Sequence, residues 1–135
     1  MTALEWDPGM AVGLDLVDDQ HKGLFAMIND LSAADVASLP RSEISRMIRR
    51  FYDYTVEHFR TEESLMDHAT YPYYFAQVTE HLSCSAQALE FHRKLLAGDS
   101  FDFSVFLEFI VHWFKEHTLG IDQTLTCHLR ERGLI

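Results

Sequence analysis

Helix-breaking residues are scarce in this 135-residue chain: six glycines and three prolines leave little material for a turn-rich β fold. Two cysteines, Cys84 and Cys127, are too few for a disulfide framework and fit reduced thiols in the cytoplasm. Basic side chains are also in short supply, 11 against 21 acidic ones, which sets the net charge at -10. Such a charge repels phosphate backbones and anionic lipid, which argues against nucleic-acid and membrane-surface partners. The one basic group, Arg46, Arg49 and Arg50, reads as a solvated helix face. No apolar run approaches the roughly 18 residues of a membrane span. The first ten residues carry no Lys or Arg ahead of an apolar stretch, so they do not read as a secretory signal. The length suits one domain, 1–135, with a core of its own.

What the chain does have is helical periodicity. Pro8, Gly9 and Gly13 punctuate an extended N-terminal arm, 1–17, with Trp6 as its anchor. Val17, Leu24, Ile28 and Leu31 then fall on one stripe, predicting a helix over 18–37 that opens on Asp18 and Asp19. A second helix is expected over 41–67, carrying Ile44, Met47, Ile48, Phe51, Thr55 and Leu65. The third runs over 72–97, with Pro72 at its first position and Gly98 as its stop. The fourth covers 102–131, with Asp102 as N-cap and Phe106, Phe109, Ile110, Trp113, Ile121 and Leu125 along it. Four such helices with short links make an all-α fold, an antiparallel up-down-up-down four-helix bundle.

Eight histidines are many for so short a chain, and several fall on the apolar stripes. His21 interrupts the first stripe, His58 and Glu62 the second, Gln77 and His81 the third, and His117 the fourth, with Asp122 beyond it. Unpaired, each such group would cost several kcal/mol on burial, and an ionised carboxylate more. A lone buried histidine is ordinarily a satisfied core residue. Seven polar groups converging from four helices can instead offset one another around a cation; a metal-free polar network would need every donor and acceptor matched. The spacing His58-x-x-x-Glu62 puts two ligands one turn apart on one face, as does Gln77-x-x-x-His81. Between His117 and Asp122 five residues turn the helix by about 140°, so Asp122 is expected to reach sideways to a second metal. Four imidazoles with two carboxylates suit iron, manganese or zinc better than calcium. Two carboxylates among four histidines suggest a metal pair bridged by Glu62 and Asp122.

The runs Asp18-Asp19-Gln20-His21-Lys22, His58-Phe59-Arg60-Thr61-Glu62-Glu63, Leu65-Met66, Tyr71-Pro72, His81 and His117-Thr118-Leu119-Gly120-Ile121-Asp122 together resemble the bacterial hemerythrins over nearly the whole chain. The resemblance implies a four-helix bundle that binds O2 reversibly at a non-haem pair of Fe ions, bridged by Glu62, Asp122 and an oxo or hydroxo group. It assigns His21 and His58 to an iron with an open position for O2, and His81 and His117 to the other, which in the family has three histidines. The third of these is missing, because Gln77 stands where the family motif has histidine. Gln77 then either ligates through its side-chain carbonyl or hydrogen-bonds a water that takes the place. His68, His92, His112 and His128 are too far along their helices, or in another sector, to substitute, and read as packing or surface residues.

Thr118 stands where relatives usually have an aliphatic side chain; its hydroxyl either donates into the pocket or bonds its own helix. Cys84 and Ser85 read as small packing groups. Phe25, Phe51, Phe59, Phe109, Trp113 and Phe114 are candidates for an apolar wall that excludes water. The favoured expectation is a cytoplasmic, monomeric O2 carrier, store or sensor with O2 as its ligand. The competing one is a di-iron enzyme, a peroxidase, oxidase or nitric-oxide-handling protein, made more reactive by Gln77. A module that holds iron or senses redox state for a separate partner is a third.

Overall fold

The computed structural model describes residues 4–66, 70–99 and 102–135, with backbone alone for residue 121. Its helices are α1 (Asp15–Ala33), α2 (Arg41–Ser64), α3 (Tyr74–Ala97), α4 (Phe103–Leu119) and α5 (Ile121–Glu131). No strand occurs among the described residues. Helix α2 packs on α1 and α3, and α4 closes the ring against α1 and α3, so the four-helix bundle is as expected, with α4 and α5 forming one interrupted rod.

The helix limits differ from the pattern in instructive ways. Helix α1 starts at Asp15 and not at Asp18, because the Asp18 carboxylate is used otherwise: it accepts from Val12 N (2.8 Å) and Gly13 N (3.3 Å), drawing the arm against the helix. It ends at Ala33, short of 37, where residues 36–38 form a turn. Pro72 lies in the turn before α3, which begins at Tyr74. Gly98 does end α3, in the left-handed region at φ 74° with Asp99 N bonded to Lys94 O, while Arg41 covers the exposed carbonyls of Leu95 and Asp99. Asp102 caps α4, accepting from Ser104 N at 3.0 Å.

The largest difference lies in the fourth rod. The pattern predicts one helix over 102–131; the chain breaks at Gly120, whose φ of −104° and ψ of −88° end α4 and begin α5. A Cβ there would stand 2.9 Å from the backbone oxygen of Glu116, closer than such contacts tolerate.

The arm is held, not loose. Asn29 pairs with the backbone of Leu4 through two hydrogen bonds of 2.7 and 2.8 Å. Trp6 sits between the Lys22 ammonium, 5.3 Å above its ring, and the Phe25 edge at 5.9 Å. Gln123 of α5 donates to Met10 O at 3.2 Å. Inside, Ile28, Ile48, Phe51, Phe106 and Ile110 fill one end of the bundle, each fully buried aromatic or aliphatic side chain contributing about 1.5–3 kcal/mol. Met66, Tyr71, Leu125 and Leu129 form a second, smaller apolar cluster. Arg46, Arg49 and Arg50 are exposed, as expected of a solvated face.

Replacing Gly120 with Ala should therefore force α4 and α5 apart at the join. The expected loss is about 1–3 kcal/mol of unfolding free energy, measured by urea denaturation.

Candidate metal centre

All seven residues singled out by spacing come together in the interior, none more than 3% exposed: His21, His58, Glu62, Gln77, His81, His117 and Asp122. Glu62 is at the middle. Its Oε1 lies 3.2 Å from His21 Nε2 and 2.5 Å from His58 Nε2. Its Oε2 lies 3.0 Å from His81 Nε2 and 3.1 Å from His117 Nε2. Asp122 divides itself in the same way, Oδ2 standing 2.9 Å from His21 Nε2 and Oδ1 3.0 Å from His117 Nε2. Two groups with metal-ligand geometry result, His21/His58/Glu62/Asp122 and Glu62/His81/His117, sharing Glu62.

The break at Gly120 makes this possible. On an unbroken helix Asp122 would point about 140° away from His117; the new helix direction brings it back onto the same nitrogen. Asp122 thus faces both halves of the site, the disposition expected of a bridge between two metals. Thr126 Oγ1 donates to the backbone carbonyl of Asp122 at 3.0 Å, within α5.

The donor set fits a cation. The four imidazoles turn Nε2 inward at two carboxylates, yet His58 Nε2 and Asp122 Oδ2 have no hydrogen-bond partner although a neighbour lies close. Nitrogen lone pairs and carboxylate oxygens that converge without hydrogen-bond angles are what ligands present to a shared ion.

Charges in the metal-free cluster are coupled. For Glu62, burial favours the neutral acid, but the attraction of His117 and its hydrogen bond, with the other imidazoles around it, prevail and hold it well below the usual carboxylate range. Burial likewise opposes charge on His21, and the adjoining carboxylates of Asp122 and Glu62 overcome it, pushing the imidazole up to about 9. His117 is raised well above its ordinary value against the same opposition, by the attraction of Asp122 and Glu62. For His58 burial wins and the imidazole is lowered. Protonation is thus favoured on His21 and His117 and opposed on His58.

Residues whose role the spacing did not reveal complete the site. Gln20 Oε1 accepts from His58 Nδ1 at 2.9 Å, which leaves the inward Nε2 free of its proton, and Gln20 in turn donates to Thr61 Oγ1 at 3.0 Å. Glu63 Oε2 lies 3.5 Å from His81 Nδ1. Gln20 adjoins His21 in sequence, and only that proximity hinted at a part in the site. Gln77 donates from Nε2 to Glu62 Oε2 (3.0 Å) and Asp122 Oδ1 (3.5 Å), while its Oε1 has no partner. Phe59 stacks on His81 at 4.0 Å and Trp113 on His117 at 4.4 Å. Phe114 backs both, Phe51 lies behind Phe114, Phe25 stands behind Trp6, and Phe109 neighbours Phe91.

Of the remaining histidines, His92 bonds Ser45, His112 is exposed and His128 packs on Tyr71; His68 lies outside the described residues. Burial pushes the Cys84 thiol up to about 12, which keeps it protonated, and Ser85 bonds its own helix at His81 O. Thr118, by contrast, is buried with its hydroxyl free of a protein partner and does not bond its helix backbone.

Residues 12–129 match the family model of the hemerythrin HHE cation-binding domain. The chain is 32% identical over 124 residues to a bacteriohemerythrin of Stenotrophomonas maltophilia, covering 91% of this chain and 79% of that protein. A bacteriohemerythrin of Methylococcus capsulatus is 28% identical over 91% of this chain and 94% of its own length. The crystal structure of a wild-type hemerythrin superposes with a TM-score of 0.81 at 28% identity, over 91% of this chain and 95% of that one.

Two outcomes follow. Gln20→Leu should lower metal affinity by about 10–100-fold in a chelator competition while leaving the helical content unchanged. Raising the pH from 6.5 toward 9 should have opposite effects on stability and affinity. Protonated His21, stabilising the metal-free fold fully below 6.5, loses that contribution as pH climbs to about 9. Metal, which must displace the same proton, binds more tightly over that interval, as unfolding and metal titrations at each pH would record.

Proposed function

The chain belongs to the hemerythrin family, and we propose that its buried cluster holds two iron ions and binds O2 reversibly, as a carrier, store or sensor. The observation that supports this best is the division of both carboxylates: Glu62 and Asp122 each offer one oxygen to the His21/His58 half and the other to the His81/His117 half. One ion would satisfy only one half; a pair uses all four oxygens. His21, His58, His81, His117, Glu62 and Asp122 are the side chains we assign as ligands. Ferrous ions bound there would supply the two electrons that O2 takes up.

The protein's own part is to seal and orient. A cavity of about 10 Å³, room for one water-sized molecule, lies against Glu62 and Asp122, walled otherwise by Val12, Leu14, Val17, Leu65, Leu125, Thr126 and Leu129. An apolar wall of that kind favours a small neutral ligand over water. Phe59 and Trp113, stacked on His81 and His117, set apolar rings against the other half. The two free thiols, Cys84 and Cys127, fit a reducing compartment, and the cytoplasm is the location we assign.

A second reading, a di-iron enzyme acting on peroxide or nitric oxide, draws support from Gln77, which replaces an imidazole with a weaker, neutral group. Anaerobic loading with ferrous iron followed by mixing with O2 separates the two. Reversible O2 binding predicts about two irons per chain and a visible absorption band that fades when oxygen is removed. Rapid autoxidation with no lasting band, and turnover with peroxide or nitric oxide, would establish the enzyme in its place. Retention of fewer than about two irons, or full uptake by Glu62→Ala, would overturn both.

A further inference from the structure

The family pattern makes the two ions unequal, three histidines to one and two to the other. The side chains here make two equal sets. Around Glu62 Oε1 stand His21 and His58, with Asp122 Oδ2 beside His21; around Glu62 Oε2 stand His81 and His117, with Asp122 Oδ1 beside His117. Each half therefore offers two imidazoles and one oxygen from each of two carboxylates.

Gln77 is the seventh inward side chain, fully buried and one turn before His81. Its amide group has a definite orientation. The NH2 points at Glu62 Oε2 and Asp122 Oδ1, at 3.0 and 3.5 Å, and the carbonyl oxygen has no partner. Turning the amide over would set its oxygen against two carboxylate oxygens, so the local charge selects the donor orientation. A carboxylate oxygen has two lone pairs and can accept this N–H while giving the other to a cation.

From this geometry we infer that Gln77 is a positioning residue and not a ligand, and that the ion held by His81 and His117 keeps a coordination position open to a small anion, as the ion held by His21 and His58 does. The inference rests on the two-ion reading above. Its physical content is that the NH2 fixes the oxygens of Glu62 and Asp122 on the side where an imidazole is missing. Two-histidine, carboxylate sets of this kind leave positions free on a six-coordinate metal.

Cobalt(II) tests it without redox chemistry, because its visible spectrum reports coordination number. The metal-free wild type, Gln77→His and Gln77→Leu would each be loaded with cobalt and titrated with azide, after circular dichroism has confirmed the helices. The expected stoichiometries are two azides per chain for wild type, one for Gln77→His, and two for Gln77→Leu, the last with cobalt affinity reduced by about 10-fold or more. One azide in wild type and two in Gln77→Leu would show the Gln77 carbonyl filling the position and overturn the inference. Equal stoichiometry in all three proteins would overturn it as well. Binding of only one cobalt by wild type is a different failure, that of the two-ion reading itself.

Discussion

A carboxylate with 1% exposure, surrounded by four imidazoles, is the constraint on which this bundle is built. An isolated ionised group at that depth would cost many kcal/mol. Glu62 is tolerable only because every rod brings an imidazole to it: His21 from α1, His58 from its own helix, His81 from α3 and His117 from α4. The helices are thus fixed in relative rotation and height by a polar requirement, whereas apolar packing alone admits many near-equivalent arrangements. The apolar clusters at either end, one around Phe51 and Phe106 and one around Tyr71 and Leu129, then close over a centre that has already set the register.

The aromatic residues serve both the packing and the site. Phe59 belongs to the core, yet its ring is parallel to His81 within 4° and also adjoins Phe114 and Trp113. Trp113 does the same for His117, within 17°. A flat ring laid on an imidazole restricts its rotation without using its nitrogens, so the rings orient His81 and His117 where a hydrogen bond orients His58. The two halves of the centre are therefore held by different means, stacking on one side and the Gln20–Thr61 chain on the other.

The sequence made the members of the centre visible because each interrupts an apolar stripe at helical spacing: a histidine between Val17 and Leu24, or a glutamate between Phe51 and Leu65, is conspicuous. The direction of Asp122 was not visible. Regular geometry turns it away from His117, and only the break at Gly120 restores it; one glycine within an otherwise continuous pattern does not announce a break. The part of Gln20 and the orientation of the Gln77 amide were hidden for a different reason. Both depend on partners 38 and 15 residues away, which a stripe on one helix cannot reveal. The arm's ties to Asp18, Asn29 and Gln123 escape for the same reason.

The proton and the metal are alternative solutions to one electrostatic problem. In the metal-free protein, Glu62 and Asp122 face His21 and His117 and favour a proton on each. Two dications in place of two protons leave the centre more positive by two, before any bound hydroxide. On the two-ion reading, a centre of that charge would favour a small anion as an additional ligand. His58 differs from His21 and His117, because burial lowers it and favours the neutral imidazole.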